Sequence, residues 1–379
     1  VGAPTILLSA GDPSGDLHGA ALAHALKRLW PEATLFGLGG PRMAEAGVEL
    51  MADPAKLAVM GFVEVAGRIP YFVRLFRRVR TAMETRRADL VIPIDYPGFN
   101  LRLARAARAA KIPVLYYIAP QVWAWHRSRI RQLAEDTDRL AVVLPFEERI
   151  FREAGARATF VGHPLLDAPA PGTRQALCRQ LNIEEHRPIL ALFPGSRPQE
   201  VARHMAIFVE TAIRVRAQRS DIQPVVAVSS AVPARAYEGL PFPRTPDSWD
   251  LLWHAHAALV KSGTTTLEAA LARTPMAIAY RTHPLTYWLA KRLVEVDHIG
   301  LVNLVAGKRL VPEFLQGEAT PAALAPALLS LIRADRRERE DALEGLDQVR
   351  AALAPPPGGP PRVADRVAAL AAELIPHAS

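Results

Sequence analysis

The sequence predicts an α/β protein made of two doubly wound, Rossmann-like domains facing a cleft. Three observations predict it. Short apolar runs alternate with amphipathic helical patterns in both halves of the chain, as parallel strands joined by crossover helices require. Prolines and glycine gather in VGHPLLDAPAPGTR, residues 161–174, and the alternation restarts just beyond them. A length of 379 residues also exceeds what one hydrophobic core usually supports.

In chain order, the first domain is expected over residues 1–168, with strands at 5–10, 34–38, 89–94, 113–118 and 139–144 and helices at 16–29 and 99–110. The second is expected over 169–350, with strands near 188–193, 224–229, 257–260 and 276–280. A further break, APPPGGPP at 354–361, sets the helical pattern VADRVAALAAEL apart within residues 351–379. That helix is expected on the first domain or on a partner subunit, so a homodimer is one expectation. Ligands of open parallel sheets bind beyond the carboxyl ends of the strands, and function is therefore sought in the loops there.

Half of the residues are hydrophobic, enough for two packed cores, and the net charge of +8 favours anionic surroundings without choosing among them. The one cysteine, Cys178, rules out an internal disulfide framework and reads as an inert thiol. The histidines show no zinc spacing. VGAP leads straight into the first strand without a basic start or a cleavage site, which reads as cytoplasmic. No apolar run approaches the roughly 20 residues of a spanning helix, so membrane contact is expected to be peripheral.

The first strand runs into ILLSAGDPSGDLHGAAL, a strand, a Gly-rich turn and a helix start. Asp12 and Asp16 put negative charge where a pyrophosphate would sit, and the turn has neither the Lys of a phosphate-cradling loop nor the spacing of a dinucleotide fingerprint. In ADLVIPIDYPGFNLRLARAAR, Asp95 follows a strand between Pro93 and Pro97. It is a candidate general base, and it equally suits a carboxylate that caps its turn. Residues 59–80, with Met83 just beyond, place Phe72, Leu75, Phe76, Val79 and Met83 on one helical stripe beside Arg74, Arg77, Arg78 and Arg80. Periodicity alone favours a core helix with a solvated back over a membrane face.

Asp136 and Asp138 form a D-x-D pair that precedes a strand, the wrong end of the sheet for a metal clamp, and no metal site is predicted. In the second half, LALFPGSRPQE ends a strand at Gly195, Ser196 and Arg197, where free amides, the helix dipole and a guanidinium favour an anion. The alternative is an exposed turn. HAALVKSGTTTLEAALARTP offers Gly263, Thr264 and, within the following helix, Glu268, a carboxylate able to accept ribose hydroxyls. Two anion-friendly loops in one domain point to a nucleotide-diphosphate donor.

Taken together, AGDPSGD, GGPRMAEAGVE, LAVMGFVEV, IDYPGFN, PQVWAWHRSR, LPFE, VGHP, FPGSR, SGTTTLE, YR, TYWLAKRLV and LVNLVAG span nearly the whole chain. In these segments the sequence resembles the lipid-A-disaccharide synthase family of inverting GT-B glycosyltransferases. The resemblance implies transfer of 2,3-diacylglucosamine from its UDP derivative to the 6-hydroxyl of 2,3-diacylglucosamine 1-phosphate, forming a β-1,6 disaccharide and UDP. It implies no cofactor, and peripheral association with the inner face of the cytoplasmic membrane. It makes Asp95 the general base, and Ser196, Arg197, Gly263, Thr264, Glu268 and Asn303 the UDP site with Gly195. Asp12, Ser14 and Asp16 then face the acceptor sugar, and the membrane reading of Phe62, Val65, Phe72, Leu75 and Phe76 rises. The family usually has Glu where Asp12 stands and Leu where Phe193 stands.

The rival readings are another GT-B enzyme acting on UDP-N-acetylglucosamine, either a lipid-linked transferase or a 2-epimerase, and a non-catalytic peripheral lipid-binding protein. Nucleic acid is not an expected partner, because the arginines do not interleave with stacking aromatics.

Overall fold

The computed structural model describes residues 3–53, 69–124, 127–283, 287, 297–333 and 337–375. By its contacts the chain forms two compact units, Val1–Asp167 with Leu353–Ser379, and Ala168–Ala352.

The first unit contains β1 (Thr5–Ser9), α1 (Pro13–Leu29), β2 (Thr34–Leu38), α2 (Pro41–Glu45), β3 (Glu49–Leu50), α3 (Ile69–Thr85) and β4 (Leu90–Pro93). It continues with α4 (Pro97–Ala109), β5 (Leu115–Tyr117), α5 (Arg127–Asp136), β6 (Arg139–Val142), α6 (Pro145–Glu153) and β7 (Ala158–Phe160). Strands run in the order β3-β2-β1-β4, and β5-β6-β7 continue the same parallel layer through bridges from Val91 to Val114 and from Ile94 to Tyr117. Ile6, Leu7, Leu8, Val91 and Ile92 are fully buried. Continuous apolar runs are what a parallel sheet covered on both faces demands.

The second unit has α7 (Arg174–Leu181), β8 (Ile189–Phe193), α8 (Pro198–Gln218), β9 (Gln223–Ala227), β10 (Arg244–Thr245), α9 (Ser248–His254) and β11 (Ala257–Lys261). There follow α10 (Thr265–Leu271), β12 (Met276–Tyr280), α11 (Leu301–Ala306), β13 (Glu313–Leu315), α12 (Pro321–Ile332) and α13 (Arg337–Leu353). The sheet is six-stranded and parallel, ordered β10-β9-β8-β11-β12-β13. Its core gathers Leu190, Leu192, Phe208, Leu259 and Leu328. Strands β3, β7, β10 and β13 do not stand out in the sequence, since two or three residues of mixed polarity cannot show a period.

After α13 the chain returns to the first unit, where the His163 amide donates to the Leu353 carbonyl at 2.9 Å and Gly162 (φ +90) lies against Pro355. The last helix, α14 (Val363–Leu374), packs on α1 and buries Val363, Val367 and Ala371. Each such valine contributes about 1.5–3 kcal/mol on burial. Arg28 with Asp365 and Arg139 with Glu373 pin its two ends. Asp136 and Asp138 pair with Arg105 at 3.2 Å and Arg108 at 2.7 Å at the amino ends of the strands. Cys178 is buried.

The stripe on α3 is resolved largely in favour of the core. Leu75, expected at a membrane, is buried with Val79 and Met83 in the first unit, where the helix packs on α4. Phe76 is partly exposed and meets Phe99 of α4 edge-to-face at 5.6 Å. Phe72 is partly exposed beside Tyr71, with Arg74, Arg77, Arg78 and Arg80 exposed. Phe62 and Val65 lie outside the described residues.

Asp16 also needs correction. It is buried on α1, and its carboxylate accepts the amides of Gly40 at 2.8 Å, Arg42 at 3.1 Å and Met43 at 2.9 Å. Those amides are the orphan donors at the start of α2, so Asp16 holds the GGPRM turn rather than an acceptor sugar. Gly40 has to be glycine, since a Cβ there would come within 2.5 Å of that carboxyl. Asp16→Ala strands two buried donors and a half-buried one and is expected to lower stability by about 3 kcal/mol, with Asp16→Asn losing less, in urea unfolding followed by circular dichroism.

Candidate functional site

In the first unit the carboxyl edges of β1, β4 and β6 carry carboxylates. Asp12 is the N-cap of α1 and accepts the Gly15 amide at 2.6 Å. Exposed Ser14 lies 3.4 Å from Nε2 of His18. Burial lowers the His18 pKa to about 4 despite the charge of Asp12, and burial with the nearby His18 takes His163 to about 3. Both imidazoles are neutral at pH 7.

Asp95 and Tyr96 follow β4 in the left-handed region, with φ of 44° and 52°. Two consecutive non-glycine residues there, each costing about 1–3 kcal/mol, persist only where the surroundings hold them. Asn100 holds them. Its fully buried Nδ2 donates to the carbonyls of Ser9 at 2.9 Å, Ile94 at 3.2 Å and Asp95 at 2.8 Å. Its Oδ1 accepts the Ser9 hydroxyl at 2.6 Å. The Tyr116 hydroxyl donates to the same Asp95 carbonyl at 2.7 Å, and the Asp95 amide donates to Tyr117 at 3.0 Å. On the other side the Tyr96 ring lies against Gly11, leaving no room there for a Cβ.

With its backbone fixed, the Asp95 carboxyl sits where burial, and then the charge of Asp12, raise its pKa to about 6, against a lowering hydrogen bond from the Tyr96 amide. A carboxylate so poised is a base near neutral pH. A third acid escaped the sequence reading. Glu147 of α6 is buried and accepts Trp123 Nε1 at 3.0 Å and the Leu144 amide at 3.1 Å. Burial raises it to about 7, hydrogen bonds from Trp123, Leu144 and Val143 oppose the shift, and the charge of Asp95 adds to it. The signal was present in LPFE, a carboxylate one turn past a strand, without a stated partner.

In the second unit the predicted anion loop is already filled. Glu200 Oε2 accepts the amides of Ser196 at 3.0 Å and Arg197 at 3.3 Å, while Oε1 meets Lys261 Nζ at 2.8 Å. These amides were expected to be free for a ligand. The helix dipole that draws an anion has drawn one from its own first turn. Burial raises the Glu200 pKa, but the charge and hydrogen bond of Lys261, the Ser196 amide and the Arg197 charge outweigh it and hold it below the usual value. Gly195 (φ +137) belongs to this arrangement, since a Cβ there would come within 2.5 Å of Glu200 Cβ. The side chains of Ser196 and Arg197 remain exposed.

The SGTTT loop follows β11, with Gly263 partly exposed and Thr264 exposed. Glu268, on α10, is partly exposed, and burial raises it to about 7. Asn303 is a correction. It is fully buried, donates to the Val311 carbonyl at 2.9 Å and to Glu313 at 2.7 Å, and accepts the Val311 amide at 2.9 Å. Glu313 in turn accepts the amides of Ile299 and Gly300, and the Ser262 hydroxyl donates to the Ile299 carbonyl at 2.9 Å. Asn303 thus braces the SGTTT loop from behind. It spends its donors and acceptor within the protein.

Because burial contributes more than Asp12 to the raised Asp95 pKa, Asp12→Asn is expected to lower the Asp95 midpoint only part of the way to the ordinary carboxylate value. Carbon-detected NMR titration of the aspartate carboxyls measures it.

A family model described as lipid-A-disaccharide synthetase matches residues 6–354. A lipid-A-disaccharide synthase of Anaeromyxobacter dehalogenans is 42% identical over 370 residues, covering 96% of each chain. Among solved structures, the glycotransferase of kitacinnamycin superposes with a TM-score of 0.65 at 17% identity, covering 99% of this chain and 100% of that one. The UDP-GlcNAc 2-epimerase of Neisseria meningitidis, bound to UDP-GlcNAc, gives 0.62 at 9% identity, covering 98% of each. These structural likenesses concern the fold, two Rossmann-type units of the GT-B class. With a matching family model over most of its length and relatives of such identity, this chain belongs to the lipid-A-disaccharide synthase family.

Proposed function

We propose that the chain transfers an acylated glucosamine from its UDP derivative to the 6-hydroxyl of an acylated glucosamine 1-phosphate, giving the β-1,6 disaccharide and UDP. The observation that carries this reading is Asp95, a strained and desolvated carboxylate at the edge of the first sheet, in a chain of this family. Its raised pKa of about 6 leaves it ionised at pH 7 yet basic enough to accept a proton. The acceptor oxygen gives its proton to Asp95 and attacks the anomeric carbon as the bond to UDP breaks. One displacement inverts the configuration.

The first unit takes the acceptor, and the second takes the nucleotide. Acidic Asp12 and Asp95, with Ser14, suit sugar hydroxyls and would repel a diphosphate. Arg197 and the SGTTT loop suit the phosphates, and Glu268 suits the ribose. Arg197 offsets charge growing on the leaving phosphate. Both substrates carry acyl chains, and the exposed arginines of α3 with partly exposed Phe72 support peripheral contact with an anionic bilayer. Among the described residues no helix is long and apolar enough to cross a membrane.

The test supplies UDP-2,3-diacylglucosamine and 2,3-diacylglucosamine 1-phosphate in mixed micelles. Native protein is expected to release disaccharide and UDP in equal amounts, and Asp95→Asn to lower kcat by about 10²–10⁴-fold with UDP affinity kept. Native protein that epimerises the donor, or that binds lipid without releasing UDP, contradicts the proposal. Undiminished turnover by Asp95→Asn removes Asp95 as the base.

A further inference from the structure

Lys261 ends β11, which pairs with β8 at the centre of the second sheet, and immediately precedes SGTTT. Its Nζ is 2.8 Å from Glu200 Oε1, 5.5 Å from the centroid of the Tyr280 ring, and 3.7 Å from where a Cβ on Gly263 would lie. The ammonium therefore stands among three strand ends, those of β8, β11 and β12. Its side chain is 17% exposed, largely shielded from bulk salt yet not sealed from solvent.

Glu200 accepts one of the three ammonium donors. Glu200 also takes the amides of Ser196 and Arg197, so positive charge reaches a ligand at this edge through side chains rather than through the start of α8. Arg197 is exposed, while the Lys261 ammonium is held at one point by Glu200. Glu200 acts as the strut that fixes it, joined to α8 and to the Gly195 turn at once.

We propose that Lys261 is a phosphate-contacting residue of the donor site, held in position by Glu200, and that it binds the diphosphate of the UDP sugar. This rests on the reading that the second unit binds UDP. Removing Lys261 alone leaves Glu200 as a partly buried charge without its ion-pair partner, which would repel phosphate by itself and weaken the fold. The decisive variant therefore removes both charges, Lys261→Met with Glu200→Gln, since glutamine keeps an oxygen for the two amides.

Affinities for UDP and for uridine are compared by calorimetry and ligand-observed NMR for the native protein, the double variant and Lys261→Arg. The double variant is expected to bind UDP about 10- to 100-fold more weakly, the factor of one charge-assisted hydrogen bond, with uridine affinity unchanged. Lys261→Arg is expected to keep most of the UDP affinity. Native-like UDP binding by the double variant would overturn the proposal and leave Lys261 as the counter-charge of Glu200. Equal losses of UDP and uridine would overturn it as well, showing a structural role. Native protein that binds neither compound would instead overturn the underlying donor-site reading.

Discussion

The side-chain amide of Asn100 is the constraint on which the first unit's chemistry depends. Nδ2 gathers the ends of β1 and β4 by donating to Ser9, Ile94 and Asp95, and Oδ1 closes the ring through the Ser9 hydroxyl. A buried network with every member satisfied is rigid, and a half-satisfied one would be worse than an apolar core. Because the network is complete, Asp95 and Tyr96 can hold a left-handed backbone that neither favours. The strain is concentrated at this edge, where Ile118, after β5, also has φ of 59°. A β-branched residue in that region is uncommon, and its amide is tied to Ala141 at 3.0 Å. Rigidity in the backbone thus becomes position and basicity in one carboxyl.

The two units solve the same local problem alike and put it to different uses. Every helix start presents orphan amides, and this chain fills many of them with its own carboxylates: Asp12 on α1, Asp16 on α2 and Glu200 on α8. In the first unit the result is an acidic edge, with Asp12 and Glu147 close enough to Asp95 for their charges to be felt. In the second, Glu200 is balanced by Lys261, and the Arg197 side chain is left exposed. The acid in AGDPSGD is thereby explained in two parts. Asp12 caps the helix and tunes its neighbour, whereas Asp16 holds up the adjoining turn.

Much of this was legible in the sequence. Nine strand regions, the helices at 16–29 and 99–110, the final helix and the location of Asp95 at a strand end follow from apolar runs and punctuation by proline and glycine, because local pattern alone fixes them. What pattern cannot show is where a polar side chain spends its hydrogen bonds. Asp16, Asn303 and Leu75 stand in motifs that point to ligands, yet their partners come from other elements of the fold or from the core face. Glu200 hid for the opposite reason: the spacing that made FPGSR look open to an anion also brings a carboxylate back onto its amides. Asn100 closes IDYPGFN, and no periodicity distinguishes a keystone amide from a solvated one.

The claim that a partly buried, strained Asp95 is the base is tested most directly by the pH dependence of kcat/KM with the two acylated substrates between about pH 4 and 8. A base with raised pKa must lose its proton to act, so the rate is expected to be flat above an apparent pKa near 6 and to fall about tenfold per unit below it. An acid limb at the ordinary aspartate value, or a limb near 6 that persists unchanged in the residual activity of Asp95→Asn, would contradict it.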